Sequence, residues 1–244
     1  MDEKIKEGFM TKFIADSSFF ELFPDAKIGV VIAKGIENNE SSSREIKDML
    51  NEANEKAYDY LTEPVFSENK VIKVWRDAFK KFKSKKGARC AIEALLKRVD
   101  KGNPVGSINP LVDIYNAVSL SYAIPAGAED FDKFDGDMVL KITEGGDKFQ
   151  ALGDDNESET YPGELAYVDD TGAICRCFNW RDGVRTMITE DTKNAVLIME
   201  SIDPDRDEDH KEALNTMAKS FEKYLNCQTE IKILTKNEPE ITLK

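Results

Sequence analysis

Side-chain catalysis needs a nucleophile, an acid or base, or a metal, and this chain offers few of these in usable spacing. His210 is its single histidine and falls in the acidic run DPDRDEDHKEA. No Ser-His-Asp or Cys-His arrangement can therefore be assembled, because the base is missing or misplaced. Cys175 and Cys177 stand two apart on an expected strand, facing the same way. Two thiols and one distant histidine make a poor zinc set, so no metal is expected. Asp203, Asp205 and Asp207 imitate the opening of a calcium loop, yet Glu208 stands where Gly is required and Leu214 where the bidentate Glu belongs. Gly102-Asn103-Pro104-Val105-Gly106 lacks the Lys-Ser/Thr ending of a phosphate loop. No cofactor is expected.

What remains is a polar stripe. Asp113, Asn116 and Ser119 recur at helical spacing, and Pro125 and Gly127 open a turn loaded with Glu129, Asp130, Asp132, Asp135 and Asp137. Two readings fit: the wall of a site, or a half-exposed helix running into a solvated acidic loop. A second feature is charge. Residues 69–102 hold twelve Lys or Arg against Asp77, Glu93 and Asp100, a local net of +9 in a chain whose total is −13, which leaves −22 on the rest. Lys73, Arg76, Lys80, Lys81, Lys85, Lys86 and Arg89 are its candidate RNA-binding residues. Clustered cations release counterions from nucleic acid, whereas the bland reading is a solvated face that balances an acidic partner.

The elements that must position these residues are legible. Asn109 as N-cap and Pro110 at the first helical position predict a helix over 110–122, with Leu111, Ile114, Val118 and Tyr122 on one buried side. KIGVVIAK at 27–34 predicts a strand covered on both faces. Two helices fit the basic stretch, one burying Val71, Val74, Trp75, Phe79 and Phe82, the other Ala88, Ile92, Leu95 and Val99. Strands are expected around 138–143, 148–152, 164–169, 173–178, 195–199 and 230–235, with a tight loop at Asn179–Gly183. This is an α+β pattern, and 41% apolar residues in 244 suffice for one large domain over 1–244, helix-rich to about 125 and strand-rich after it. The first ten residues are charged and lack a secretory core, so a cytoplasmic location is expected, with no membrane span. Cys90, Cys175, Cys177 and Cys227 read as reduced thiols without a disulfide framework.

Val112-Asp113-Ile114 followed by Asn116, Val118, Leu120, Pro125 and Asp130 resembles the B3/B4 domain, the editing module of the bacterial phenylalanyl-tRNA synthetase β subunit. Gly136, Val139, Lys141 and the run Pro162–Asp170 continue the resemblance, which spans about residues 11–192. It implies a mixed sheet packed by helices, and hydrolysis of the ester that joins tyrosine to a mischarged tRNA. Such an ester needs little activation, so a positioned water and well-placed hydrogen bonds can suffice.

Carried over by position, Asn116, Asp130 and Glu164 are the implied catalytic residues, and Gly127, Asn179, Trp180 and Arg181 the implied substrate-binding ones. Two departures matter. The family's site histidine falls on Gly127, leaving a gap for ligand or Trp180 to fill. The family's Gly-Gly-Glu region is replaced by Asn179-Trp180-Arg181-Asp182. The resemblance therefore implies a free-standing editing-like domain that takes aminoacylated tRNA in trans. The alternatives are a non-catalytic binder of an amino acid or aminoacyl-RNA, and a module whose basic face docks an acidic protein.

Overall fold

Two nearly continuous apolar runs form the centre of the molecule. The computed structural model describes residues 10–244, and nine of the ten residues read for a secretory segment lie outside them. Strand β1 (Lys12–Ala15) leads into helix α1 (Ser17–Leu22), capped by Asp16. KIGVVIAK is strand β2 (Lys27–Lys34), followed by α2 (Arg44–Lys56), α3 (Lys70–Ala78), α4 (Ala91–Asp100) and α5 (Pro110–Tyr122). The strand-rich part then supplies β3 (Gly127–Asp130), β4 (Met138–Ile142), β5 (Lys148–Phe149), β6 (Ser158–Glu159), β7 (Leu165–Val168), β8 (Ala173–Arg176), β9 (Arg181–Asp182) and β10 (Asn194–Ser201). Helix α6 (Asp207–Leu225) and strands β11 (Gln228–Leu234) and β12 (Glu240–Thr242) close the chain.

The strands make a mixed six-stranded sheet in the order β12-β1-β4-β7-β8-β9 and an antiparallel four-stranded sheet in the order β11-β2-β10-β3. A small β5–β6 ribbon stands apart. Each large sheet draws strands from both halves of the chain, so the helix-rich and strand-rich parts share one core. Alternation along β2 and β10 explains how. Val31, Ala33, Leu197 and Met199 face α5 and α6, while Ile28, Val30, Ile32, Val196 and Ile198 enter the core shared with the six-stranded sheet. Helix α6 lies close on β2 because Gly29 has no side chain: a Cβ there would stand 2.5 Å from Leu214 Cδ1 and 2.6 Å from His210 Nε2. Among the described residues, no helix is long and apolar enough to cross a membrane.

Helix α5 starts as its sequence dictates, with Asn109 accepting from Val112 N at 3.0 Å and Pro110 in the first turn. Its polar stripe departs from expectation. Asp113 and Ser119 are fully buried and Asn116 nearly so. Asp113 accepts from the Ser42 and Ser107 hydroxyls and from Ile108 N, and Ser119 donates to Ile124 O at 2.6 Å. Asp113 and Ser119 are thus bonded to nearby chain, and with Asn116 also buried the stripe does not form a solvent-facing wall. The acidic turn is corrected as well: Gly127–Asp130 is a buried edge strand, with Glu129 and Asp130 inside. Strand pairing with β10 removes these residues from water, which charge counting along the sequence cannot reveal.

Phe178 anchors the helices of the basic stretch to the six-stranded sheet. Its ring lies 5.2–6.1 Å from those of Phe19, Phe23, Trp75, Phe79 and Phe82. Aromatic pairs at such distances add to simple burial. Phe178→Ala leaves a cavity among five rings and should cost about 3–5 kcal/mol in denaturant unfolding; a loss below about 1 kcal/mol would show that the cluster does not anchor this layer.

Candidate functional site

The turn after β8 carries four residues into two separate environments. Cys177 (φ 52°) and Phe178 (φ 58°) are consecutive left-handed residues, a conformation that side chains disfavour and that the buried Phe178 ring holds in place. This break in the pleat also sends the two cysteines apart. Cys175 Sγ meets Phe178 O at 3.1 Å, whereas Cys177 Sγ meets Glu164 Oε1 at 3.3 Å, so the expectation that both thiols face one way is wrong. All four cysteines are buried free thiols.

On the inner side, Asn179 is pressed against Gly127. A Cβ on Gly127 would lie 2.6 Å from Asn179 Oδ1, so the gap expected beside Gly127 is filled by this carboxamide and not by Trp180. Asn179 Nδ2 donates to Glu200 Oε2 at 2.7 Å, and Tyr167 OH donates to Glu200 Oε1 at 2.7 Å. Burial pushes the Glu200 carboxyl up to about 7, against the opposing pull of these hydrogen bonds. Glu200 escaped the sequence reading. Its signal was an acid inside an otherwise apolar strand, NAVLIMES, where a carboxyl must be buried and therefore partnered.

On the outer side, Trp180 and Arg181 line a cleft of about 750 Å³. Lys85, Lys86 and Arg89 enter it from the segment before α4, Lys97, Arg98 and Lys101 from the helix and its end, and Arg176 and Arg181 from the sheet. Phe149 and Trp180 give it aromatic surface, and the Arg181 guanidinium stands 5.6 Å from the Trp180 ring. Among the described residues, Lys97 pairs with Asp100 and Arg176 with Glu164; the other six cations have no acidic partner. Asp154 is the one acid on the cleft wall. Such a surface concentrates anions, most strongly chains of phosphate.

The expected RNA-binding residues therefore divide. Lys85, Lys86 and Arg89 belong to the cleft, while Lys73, Arg76 and Lys80 are paired with Glu68, Glu93 and Asp77. Lys81 lies 4.8 Å from the Phe23 ring and donates to Leu22 O. The expected catalytic residues are not brought together. Glu164 is fully buried behind the cleft, gripped by Arg176 through two 2.7 Å bonds and accepting from Tyr161 N. Asp130 caps the helical turn that follows it and accepts from Thr192 Oγ1. Asn116 is buried on α5 and does not line the cleft.

A family model described as the B3/4 domain matches residues 74–232, well over half of the chain. The chain belongs to the B3/4 domain family. This B3/4 domain is 33% identical over 101 residues to the phenylalanine–tRNA ligase β subunits of Vibrio vulnificus strains YJ016 and CMCP6. The match covers 41% of the chain but only 12% of each relative. An N-terminal fragment of the phenylalanyl-tRNA synthetase β subunit from Pyrococcus horikoshii superposes with a TM-score of 0.52 at 14% identity, covering 99% of this chain and 56% of that one. The α+β architecture, a mixed sheet packed by helices, is thus that of the synthetase β-subunit fragment.

The buried Glu200 gives the fold a pH signature. The unfolded chain releases this proton near the ordinary glutamate value, about 4.3, while the folded chain keeps it to about 7. Between those values the folded state binds more protons, so this group makes stability fall as pH rises, and its slope fades out as pH passes through 7. Glu200→Gln should flatten that part of the stability curve, removing up to about 3 kcal/mol of pH dependence. An unchanged curve from denaturant titrations between pH 4.5 and 7.5 would refute the assignment.

Proposed function

We propose that this B3/4 domain binds RNA of the aminoacylated-tRNA class, with phosphates in the Lys85–Arg181 cleft. The observation that supports it is six cations without acidic partners gathered round one concave surface, beside two aromatic rings. A solvated face spreads or pairs its charges, as Lys73, Arg76 and Lys80 do. In the cleft, phosphates displace counterions, Arg181 offers a planar fork, and Trp180 offers a face for stacking a base.

A second reading adds hydrolysis of the aminoacyl ester, and the Gly127–Asn179–Glu200 group favours it. Asn179 directly precedes Trp180, so an RNA end held in the cleft comes next to this group. Asn179 can both donate to and accept from an amino group or ester, and Glu200 near neutrality can exchange a proton with a water. Asn179 must first leave the space beside Gly127. The likeness to synthetase β subunits supports the tRNA class and does not name the amino acid.

Joint reversal of Lys85, Lys86, Arg89 and Lys101 to Glu should weaken tRNA binding at low salt by about 10²–10³-fold and lower the salt slope by about 3–4. Reversal of Lys73, Arg76 and Lys80 should change binding less, since those cations already face acidic partners outside the cleft. Equal effects from both sets in filter-binding titrations would place the RNA elsewhere. A deacylation screen over mischarged tRNAs separates the readings: turnover abolished by Asn179→Ala supports hydrolysis, and binding without turnover leaves the domain a binder.

A further inference from the structure

Behind the turn that carries Trp180 and Arg181, donor atoms from three strands converge. Glu129 lies on β3, at one edge of the four-stranded sheet, Cys175 on β8, and Asp182 on β9, at one edge of the six-stranded sheet. Their ligating atoms all lie within 4.8 Å of one another. Cys175 and Asp182 are cross-strand partners, with Sγ 3.5 Å from Oδ1. A tetrahedral zinc ion with bonds of about 2.3 Å to sulfur and 2.0 Å to oxygen sets its ligands about 3.5 Å apart. The third donor closes onto that pair with a side-chain adjustment of about 1 Å.

A separate observation points the same way. Among the described residues, Glu129 Oε2 and Thr186 Oγ1 are buried polar atoms without a well-formed hydrogen bond, and the Thr186 hydroxyl is the one hydrogen-bonding side chain that steadies the Glu129 carboxyl. Polar atoms left without a good partner in a native interior call for an explanation. The nearby cation, Arg185, is already forked onto Asp169 through bonds of 2.8 and 2.7 Å. Three acidic groups therefore meet with no positive charge between them.

We propose that Glu129, Cys175 and Asp182 bind one divalent transition-metal ion of the zinc class, with the Thr186 hydroxyl or a water as fourth donor. The thiol selects such an ion over magnesium or calcium, which take oxygen ligands. Without the ion, burial raises all three groups, Asp182 to about 6 and Glu129 and Cys175 well above their usual values. Loading expels these protons, so affinity rises with pH. Cys175 gives up its contact with Phe178 O when it ligates. The ion clips β3 to β9, two edges that share no ladder, and braces the turn from its inner side. This site stands whether or not the cleft binds RNA.

The full chain, produced with zinc present, should carry about one zinc per molecule by elemental analysis. Chelation should lower Tm by several degrees, and added zinc should restore it. Replacement by Co²⁺ should give a thiolate-to-metal charge-transfer band. Cys175→Ala and Asp182→Asn should lose the metal, and Cys177→Ala should keep it. If the first two variants fail to fold, the cobalt titration of the wild-type chain decides. Wild-type protein with no bound zinc, no shift in Tm and no cobalt–thiolate band overturns the proposal and leaves a carboxyl pair sharing a proton. Zinc retained by a folded Cys175→Ala variant overturns it too.

Discussion

Arg176 and Glu164 are a charge pair taken almost wholly out of water, and the cleft is built on that pair. Removing two ions from solvent costs several kcal/mol each, which mutual attraction repays only when the geometry is good and other hydrogen bonds are met. Here the guanidinium forks onto the carboxylate through two 2.7 Å bonds, and Tyr161 N satisfies the carboxylate further. The rings of Phe149 and Tyr161 lie 5.6 and 5.2 Å from the guanidinium. Glu164 adjoins β7 and Arg176 ends β8, so the pair also fixes how the hairpin enters the turn at Cys177. Losing Glu164 alone would strand a buried arginine under six unpaired cations.

Much of the fold was legible because local chemistry and tertiary demand agreed. Asn109 and Pro110 start α5 where capping rules put it, and KIGVVIAK and NAVLIMES are buried on both faces as continuous apolar runs require. The family resemblance was read from residues of the same central segment, and the family model matches residues 74–232. Fold and family were thus reached by two independent routes, periodicity and motif spacing.

The site was less legible, for physical reasons. Asp113, Asn116 and Ser119 have the spacing of a polar face, but a carboxylate satisfied by two hydroxyls and a backbone N–H looks the same in sequence as one facing water. Asp130 and Glu164 were carried over by position from the resemblance, and in the structure their carboxylates serve a helical-turn cap and a buried ion pair. The basic patch was found from composition, yet composition does not tell which cations meet an acid; Lys73, Arg76 and Lys80 do, whereas Lys85, Lys86 and Arg89 have no acidic partner among the described residues. The proximity of Glu129 to Cys175 and Asp182 depends on two sheet edges meeting, about fifty residues apart along the chain.

The uneven distribution of charge acts before any contact forms. Residues 69–102 carry +9 and the remainder −22, so charge is strongly segregated along the chain. A polyanion at a distance exerts a torque on it, turning the basic side forward while the acidic body is repelled. Were a polyanion to approach, it would thus be oriented before contact, with no dedicated blocking surface needed. Salt shortens the reach of that torque to about 8 Å at physiological ionic strength, so orientation is imposed in the last nanometre of approach.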